Sequence, residues 1–226
     1  MQSDAKELGP ASPRFRAISA AEFILGAAVV VAANIYKVIP SEVIILAIVA
    51  FVSILWRNRS LSAMGFRRPS SWRLILLIAL GAAILRIALG FIIEPLVEQI
   101  WPAPPPPEEV EKIKGNLPYA LLILGFVWVY AAFGEEIAYR GYLLTRGAEA
   151  LGSSPRAQWF FMILVAVLFG IGHYWNGASG MVSSGVAGLI CGAVYLLTGR
   201  CLWTCILAHG FIDTIAIALA YFGLND

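Results

Sequence analysis

Glu135 and Glu136 stand side by side in the run Gly134-Glu-Glu-Ile-Ala-Tyr-Arg140, inside an otherwise apolar stretch. On an α-helix, residues four apart share a face and adjacent ones diverge by about 100°. The spacing therefore pairs Glu136 with Arg140, acid before base, and turns Glu135 towards the side of Tyr139 with no local cation. A carboxylate left without a partner in a low-dielectric setting suits a general base. The plain alternative is that all three charges are solvated at a membrane interface. The chain has two histidines, His173 and His209. His173 closes Phe169-Gly-Ile-Gly-His173, one turn from an aromatic ring, where an imidazole also serves as helix–helix glue. His209 precedes Asp213 by four residues, a spacing that serves metal ligation, a carboxylate orienting an imidazole, or a simple intrahelical polar pair. Three such clusters on three separate apolar segments would each need its own polar partner if none were functional.

The elements that must carry these groups are membrane helices. Of 226 residues, 60% are hydrophobic and 13% charged, against about 25% charged in soluble domains. That excludes a soluble enzyme, a disordered regulator and a disulfide scaffold, and a net charge of +2 offers no face for nucleic acid. Seven stretches approach the roughly 20 apolar residues that a span needs: Ile18 to Tyr36, Pro40 to Trp56, Leu74 to Ile93, Leu117 past Phe133, Gln158 to Gly172, Val182 to Leu197 and Leu202 to Phe222. The second and fifth are short. The expected fold is all-α: a polytopic bundle of about seven spanning helices, one integral membrane domain over residues 1–226. Ser184, Gly188 and Gly192 form a stripe of small residues that lets helix backbones approach closely. Cys191, Cys201 and Cys205 lie in apolar stretches, and their odd number argues against a disulfide framework. Cys201 and Cys205 share a helix face as a metal or redox pair would, but buried small residues are the plainer reading.

Charge asymmetry orients the bundle. With the N-terminus cytoplasmic, Lys6, Arg14, Arg16, Arg57, Arg59, Arg67, Arg68, Arg73, Arg140, Arg146, Arg156 and Arg200 fall inside or at its border. Lys37, Lys112 and Lys114 fall outside, and Arg86 stays within the third helix. The longest outer segment, Glu94 to Asn116, contains a proline run at residues 102–107, an extended solvated spacer. In straight helices His209 lies ~12 Å, Glu135 ~17 Å and His173 ~22 Å from the inner ends of their helices, at ~1.5 Å per residue. Convergence near the bilayer centre is thus geometrically accessible. Charged and polar groups at that depth, here Glu22, Arg86, Glu135, Glu136, Arg140, His173, His209 and Asp213, mark function by default.

At these residues the chain resembles the CPBP family of CAAX-type prenyl endopeptidases and bacteriocin-processing (Abi) enzymes. The family's paired-glutamate EExxxR, FxxxH and HxxxN/D motifs read here as Glu135-Glu136…Arg140, Phe169…His173 and His209…Asp213. Met64-Gly-Phe-Arg-Arg-Pro69 resembles a loop preceding the catalytic helices, so the resemblance spans residues 64–222. It implies an intramembrane endopeptidase acting on a membrane-anchored or transmembrane peptide substrate in the lipid bilayer, with no nucleic-acid partner. Glu135 would activate water, Glu136 and Arg140 would support it, and His173 and His209 would bind or polarise around the scissile bond. Where the family varies between asparagine and aspartate, this chain has Asp213, which when ionised only accepts hydrogen bonds. It must be protonated, orient His209, or ligate a metal. Glu135, His173, His209 and Asp213 could supply the ligands of a divalent metal such as zinc. The resemblance also implies a multi-pass protein of the cell (inner) membrane if the source is prokaryotic. A proton-coupled transporter and a non-catalytic immunity or binding protein of the same fold are the alternatives.

Overall fold

The computed structural model describes residues 12–102, 104, 105 and 107–224; Lys6, counted above among the inner cations, lies outside them. Among the described residues, seven apolar helices follow one another: α1 (Pro13–Asn34), α2 (Glu42–Asn58), α3 (Trp72–Glu98), α4 (Leu117–Ala150), α5 (Pro155–Ile171), α6 (Gly177–Leu197) and α7 (Leu202–Phe222). Five of them, α1, α3, α4, α6 and α7, are long and apolar enough to cross a bilayer. The α2 and α5 helices have 17 residues each, at the lower limit for a span. The count of about seven is therefore approximate, and the chain is an all-α, multi-pass membrane protein.

Helix starts are set by polar punctuation in an apolar chain. The side chains of Ser12, Ser41, Ser71, Asn116 and Ser154 each accept a backbone N–H of the first turn, satisfying donors that have no partner within the helix. Pro13 and Pro155 occupy first-turn positions, where a missing N–H costs nothing. Large apolar side chains such as Ile48, Leu77, Phe91, Leu122 and Val129 point outwards and are exposed, which is what a lipid-facing surface requires.

The helices associate through close contact. The α5 and α6 helices pack along each other, as do α3 and α7. A Cβ on Gly188 would lie 3.1 Å from the Ala166 Cα, and one on Gly192 would lie 2.6 Å from the Met162 Cγ. The small-residue stripe is thus the seam between α5 and α6. Gly65, with φ of 97°, lets the Met64–Pro69 loop lie against the α6–α7 turn, where its carbonyl accepts from the Leu202 N–H at 2.9 Å. The three cysteines are buried and free.

The α4 helix is the central post, and its character changes along its length. Leu121, Leu122 and Phe126 face outwards, whereas residues 137–149 are buried. Between and into the buried part, Trp128–Glu135 and Ile137–Leu144 run as π-helix, a wide i→i+5 geometry found mostly in short pieces and frequently at functional sites. Near its end Arg146 is fully buried. Its Nε lies 2.7 Å from Glu22 and its Nη1 lies 2.6 Å from Glu149, while Arg57 of α2 reaches Glu22 at 2.8 Å. Two arginines and two glutamates thus form a charge-neutral lock tying α1, α2 and α4. Arg140 and Arg146, counted among the inner or border cations, are buried within the protein, Arg140 neutralised by Glu136 of its own helix and Arg146 by Glu149 of α4 and Glu22 of α1.

Candidate active site

The wide geometry of α4 brings both glutamates of the pair towards α7. Glu136 is fully buried, and its Oε1 accepts two short hydrogen bonds: 2.7 Å from Arg140 Nη1 and 2.8 Å from His209 Nδ1. The pair expected from the four-residue spacing is formed, and an unexpected third member joins it. Arg140 is completed by the Gly188 carbonyl of α6 at 3.0 Å and lies 4.6 Å from the centre of the Phe169 ring, a cation–π contact.

A carboxylate already holding Arg140 can only accept, so His209 carries its proton on Nδ1 and turns Nε2 the other way. His209 Nε2 lies 3.4 Å from the Asp213 Oδ2 and 4.0 Å from the Glu135 Oε2. The imidazole therefore bridges a firmly held acid and two looser ones. Glu135 is buried; among the described residues its Oε2, like the Oε2 of Glu136, has no hydrogen-bond partner, but Glu136 is engaged through Oε1 and Glu135 through neither oxygen, so Glu135 is the acid left to accept from an incoming water.

His173 ends α5 beside the same group. Its Nδ1 lies 2.9 Å from the Phe169 carbonyl oxygen; a carbonyl only accepts, so Nδ1 donates and Nε2 is left free. The Phe169 ring is the hub: its centre lies 4.8 Å from His173, 5.8 Å from His209 and 5.0 Å from Tyr139. Glu135, Glu136, Arg140, His209 and Asp213 form one cluster, and His173 joins it through Phe169, not through a direct hydrogen bond. Among the described residues, no three His, Cys, Asp or Glu side chains come together as metal ligands would. The donor set named for a metal is not assembled, and no step below runs through one.

Two contributors were not singled out from the sequence. Tyr139 donates to Glu42 of α2 at 3.3 Å, and a Cβ on Gly172 would lie 2.6 Å from the Tyr139 hydroxyl. Tyr130 and Ser41 share a hydrogen bond of 2.7 Å. The start of α2 and the end of α5 thus both meet α4 in its π-helical stretch, so short helices end at the level of the site. The only sequence signal was the shortness of those two segments and a lone acid, Glu42, opening an apolar run.

No curated protein and no solved structure matches the chain. A family profile does: residues 117–215 match the family described as type II CAAX prenyl endopeptidase Rce1-like. The match begins at the start of α4 and ends within α7, so it contains every residue of the cluster and leaves α1, α2 and α3 outside. The three motif-bearing helices that form the site thus lie in the segment, residues 117–215, that is similar to the type II CAAX prenyl endopeptidase Rce1-like family.

Proposed function

We propose that this protein is an intramembrane endopeptidase that hydrolyses a peptide bond near the end of a lipid-anchored chain, with Glu135 activating the water. The observation that carries the reading is the division of labour around His209. Glu136 is held at Oε1 by Arg140 and His209 Nδ1, whereas Glu135 accepts no hydrogen bond from the described residues; the Oε2 of each is buried without a partner.

Glu135 takes a proton from water as the oxygen attacks the scissile carbonyl carbon. The resulting oxyanion needs a donor, and His209 Nε2, when protonated, is aimed away from Glu136 towards the open part of the cluster. Asp213 orients that imidazole from one turn away. Glu136 and Arg140 fix its other nitrogen, so the ring cannot flip without breaking a buried charge-assisted bond. When the C–N bond breaks, the proton held on Glu135 passes to the leaving amine. His173 Nε2, uncommitted, borders the same space and suits a contact with the substrate backbone. A transporter would also place acids and imidazoles at this depth, but it gives no reason for the asymmetry between the two glutamates.

The test is cleavage of a prenylated peptide by detergent-purified protein. Wild type should release the terminal fragment, and Glu135→Gln should be folded and inactive. Asp213→Asn, assayed with a chelator and with the metal content measured, separates the remaining roles of the acid. Full activity in metal-free enzyme with asparagine tolerated supports a protonated or orienting Asp213. Loss of activity on chelation requires a metal instead. Cleavage by Glu135→Gln at the wild-type rate refutes the proposal.

A further inference from the structure

Acids within the bundle neutralise four of its arginines. Arg57 and Arg146 pair with Glu22 and Glu149, Arg140 with Glu136, and Arg86 with Glu94 of the same helix at 3.0 Å. A second group of arginines has no such partner. Arg67 and Arg68 in the loop before α3, Arg73 in the first turn of α3 and Arg200 in the α6–α7 turn form no ion pair among the described residues. Arg67 Nε donates to the Ser62 carbonyl at 3.3 Å, and Arg200 Nη2 donates to the Thr145 hydroxyl at 2.7 Å. These bonds place the two side chains and leave their charge uncompensated.

Two of these arginines line a cavity of about 340 Å³, and chain neighbours of the other two border it as well. Arg67 and Arg68 form its polar side. Leu74 and Ile78 of α3 and Leu197 of α6 form its apolar floor, and no acid borders it. The loop that presents the two guanidinium groups is tied down. The Tyr195 hydroxyl donates to the Met64 carbonyl at 3.0 Å, Arg200 Nη2 to the Ala63 carbonyl at 2.9 Å and the Leu202 N–H to the Gly65 carbonyl at 2.9 Å. The cavity therefore belongs to the packed bundle. An aromatic cluster stands beside it: the Trp72 and Trp203 rings are 6.1 Å apart, and Phe66 lies 5.5 Å from Trp203. Tryptophans concentrate where headgroups meet acyl chains, so arginines on one side and leucines on the other match the two parts of a lipid.

We propose that this cavity holds one phospholipid with an anionic headgroup, its phosphate on Arg67 and Arg68 and part of an acyl chain over Leu74, Ile78 and Leu197. Charge complementarity selects an anion, and guanidinium groups match phosphate oxygens in two-point fashion. The floor selects a lipid over a free phosphate. Leu74 and Leu197 are exposed, and an acyl chain covers them where an inorganic ion leaves them bare. Basic pockets between spanning helices recognise anionic lipids in this way. A zwitterionic lipid carries its own cation, which cancels most of the attraction. No lining residue belongs to the glutamate–histidine cluster, so the inference stands apart from the endopeptidase reading.

The experiment uses the full chain in mixed micelles of phosphatidylglycerol and phosphatidylcholine with identical acyl chains, and reads retained lipid by native mass spectrometry. Each arginine near an anionic headgroup contributes about fivefold, so two predict one retained phosphatidylglycerol with a preference of about 25–30-fold. Arg67→Gln with Arg68→Gln should abolish the preference. Arg59→Gln with Arg156→Gln removes the same charge from exposed positions that do not border the cavity, and should retain it. Added inorganic phosphate and an added prenylated peptide should leave the lipid bound. Equal retention of both lipids by wild type overturns the proposal, and this result needs no variant to fold. A preference that survives in the Arg67, Arg68 variant, or is lost equally in the Arg59, Arg156 variant, also overturns it. Displacement by phosphate would make the cavity a simple anion site, and displacement by the peptide would assign it to substrate; either refutes the lipid assignment.

Discussion

Glutamine at position 136 and glutamine at position 135 should differ far more in stability than their chemistry suggests. Glu136 is fully buried and balances Arg140, itself 1% exposed, while also accepting from His209. Removing one member of a buried ion pair typically costs about 3–5 kcal/mol, because the other charge is left uncompensated. Arg140 keeps the Gly188 carbonyl and the Phe169 ring, contacts that soften the loss, so about 3 kcal/mol is expected for Glu136→Gln. Glu135 makes no hydrogen bond through Oε2, and its nearest cationic group is His209 at 4.0 Å. Glu135→Gln should therefore stay within ~1 kcal/mol of wild type, since no made interaction is lost. Reversible unfolding in mixed micelles, followed by tryptophan fluorescence, measures both. A double variant, Glu136→Gln with Arg140→Met, should regain part of the loss, since neither buried charge remains. Equal destabilisation by the two single variants, or a double variant less stable than Glu136→Gln, would refute the reasoning. In the cleavage assay, comparable residual activity in the two single variants would remove the distinction between base and support.

Two further outcomes can be checked directly. Gly170→Ala places a Cβ 2.6 Å from the Met181 carbonyl oxygen, so α5 and α6 must separate; a loss of about 1–3 kcal/mol is expected, and an unchanged unfolding midpoint would count against the packing described. For orientation, Glu109→Cys should react with an impermeant thiol reagent added to intact cells, as the arginine distribution implies. The wild-type protein should remain silent because its three cysteines are buried; labelling only after permeabilisation reverses the topology.

The parts of this arrangement legible in the sequence are those set by local spacing. Glu136 with Arg140, Phe169 with His173, and His209 with Asp213 are four-residue relations, and each is realised. The contact between Glu136 and His209 was not legible, because uniform α-helical rise put the three motifs at depths spread over ~10 Å. The π-helical stretch of α4 alters both the rise and the angular relation of Glu135 to Glu136. Arg146 read as a border cation because nothing local reveals that Glu22, from a helix more than a hundred residues earlier, neutralises it. Tyr139 was placed beside Glu135 by helical phase, yet its partner Glu42 comes from the start of α2. Arg86 was recognised as out of place, but its partner at eight residues' remove falls outside the usual helical pairings.

The widened turns of α4 also make the site depend on counting. In a uniform α-helix, residues upstream and downstream of a point keep one angular relation whatever lies further along. Here Leu117–Val127 and Thr145–Ala150 are α-helical and are joined by two wide stretches. Deleting one residue while the remainder keeps the wide geometry would rotate the far part relative to the near one. Arg146 would then turn away from Glu22 even as Tyr130 kept its place at Ser41. A single-residue change in length, with no side chain of the cluster altered, would therefore act as a rotation of the lower half of the protein against the upper half. The chemistry of the pair is written in residue identity, but its aim at His209 is written in the number of residues between the two ends of the helix.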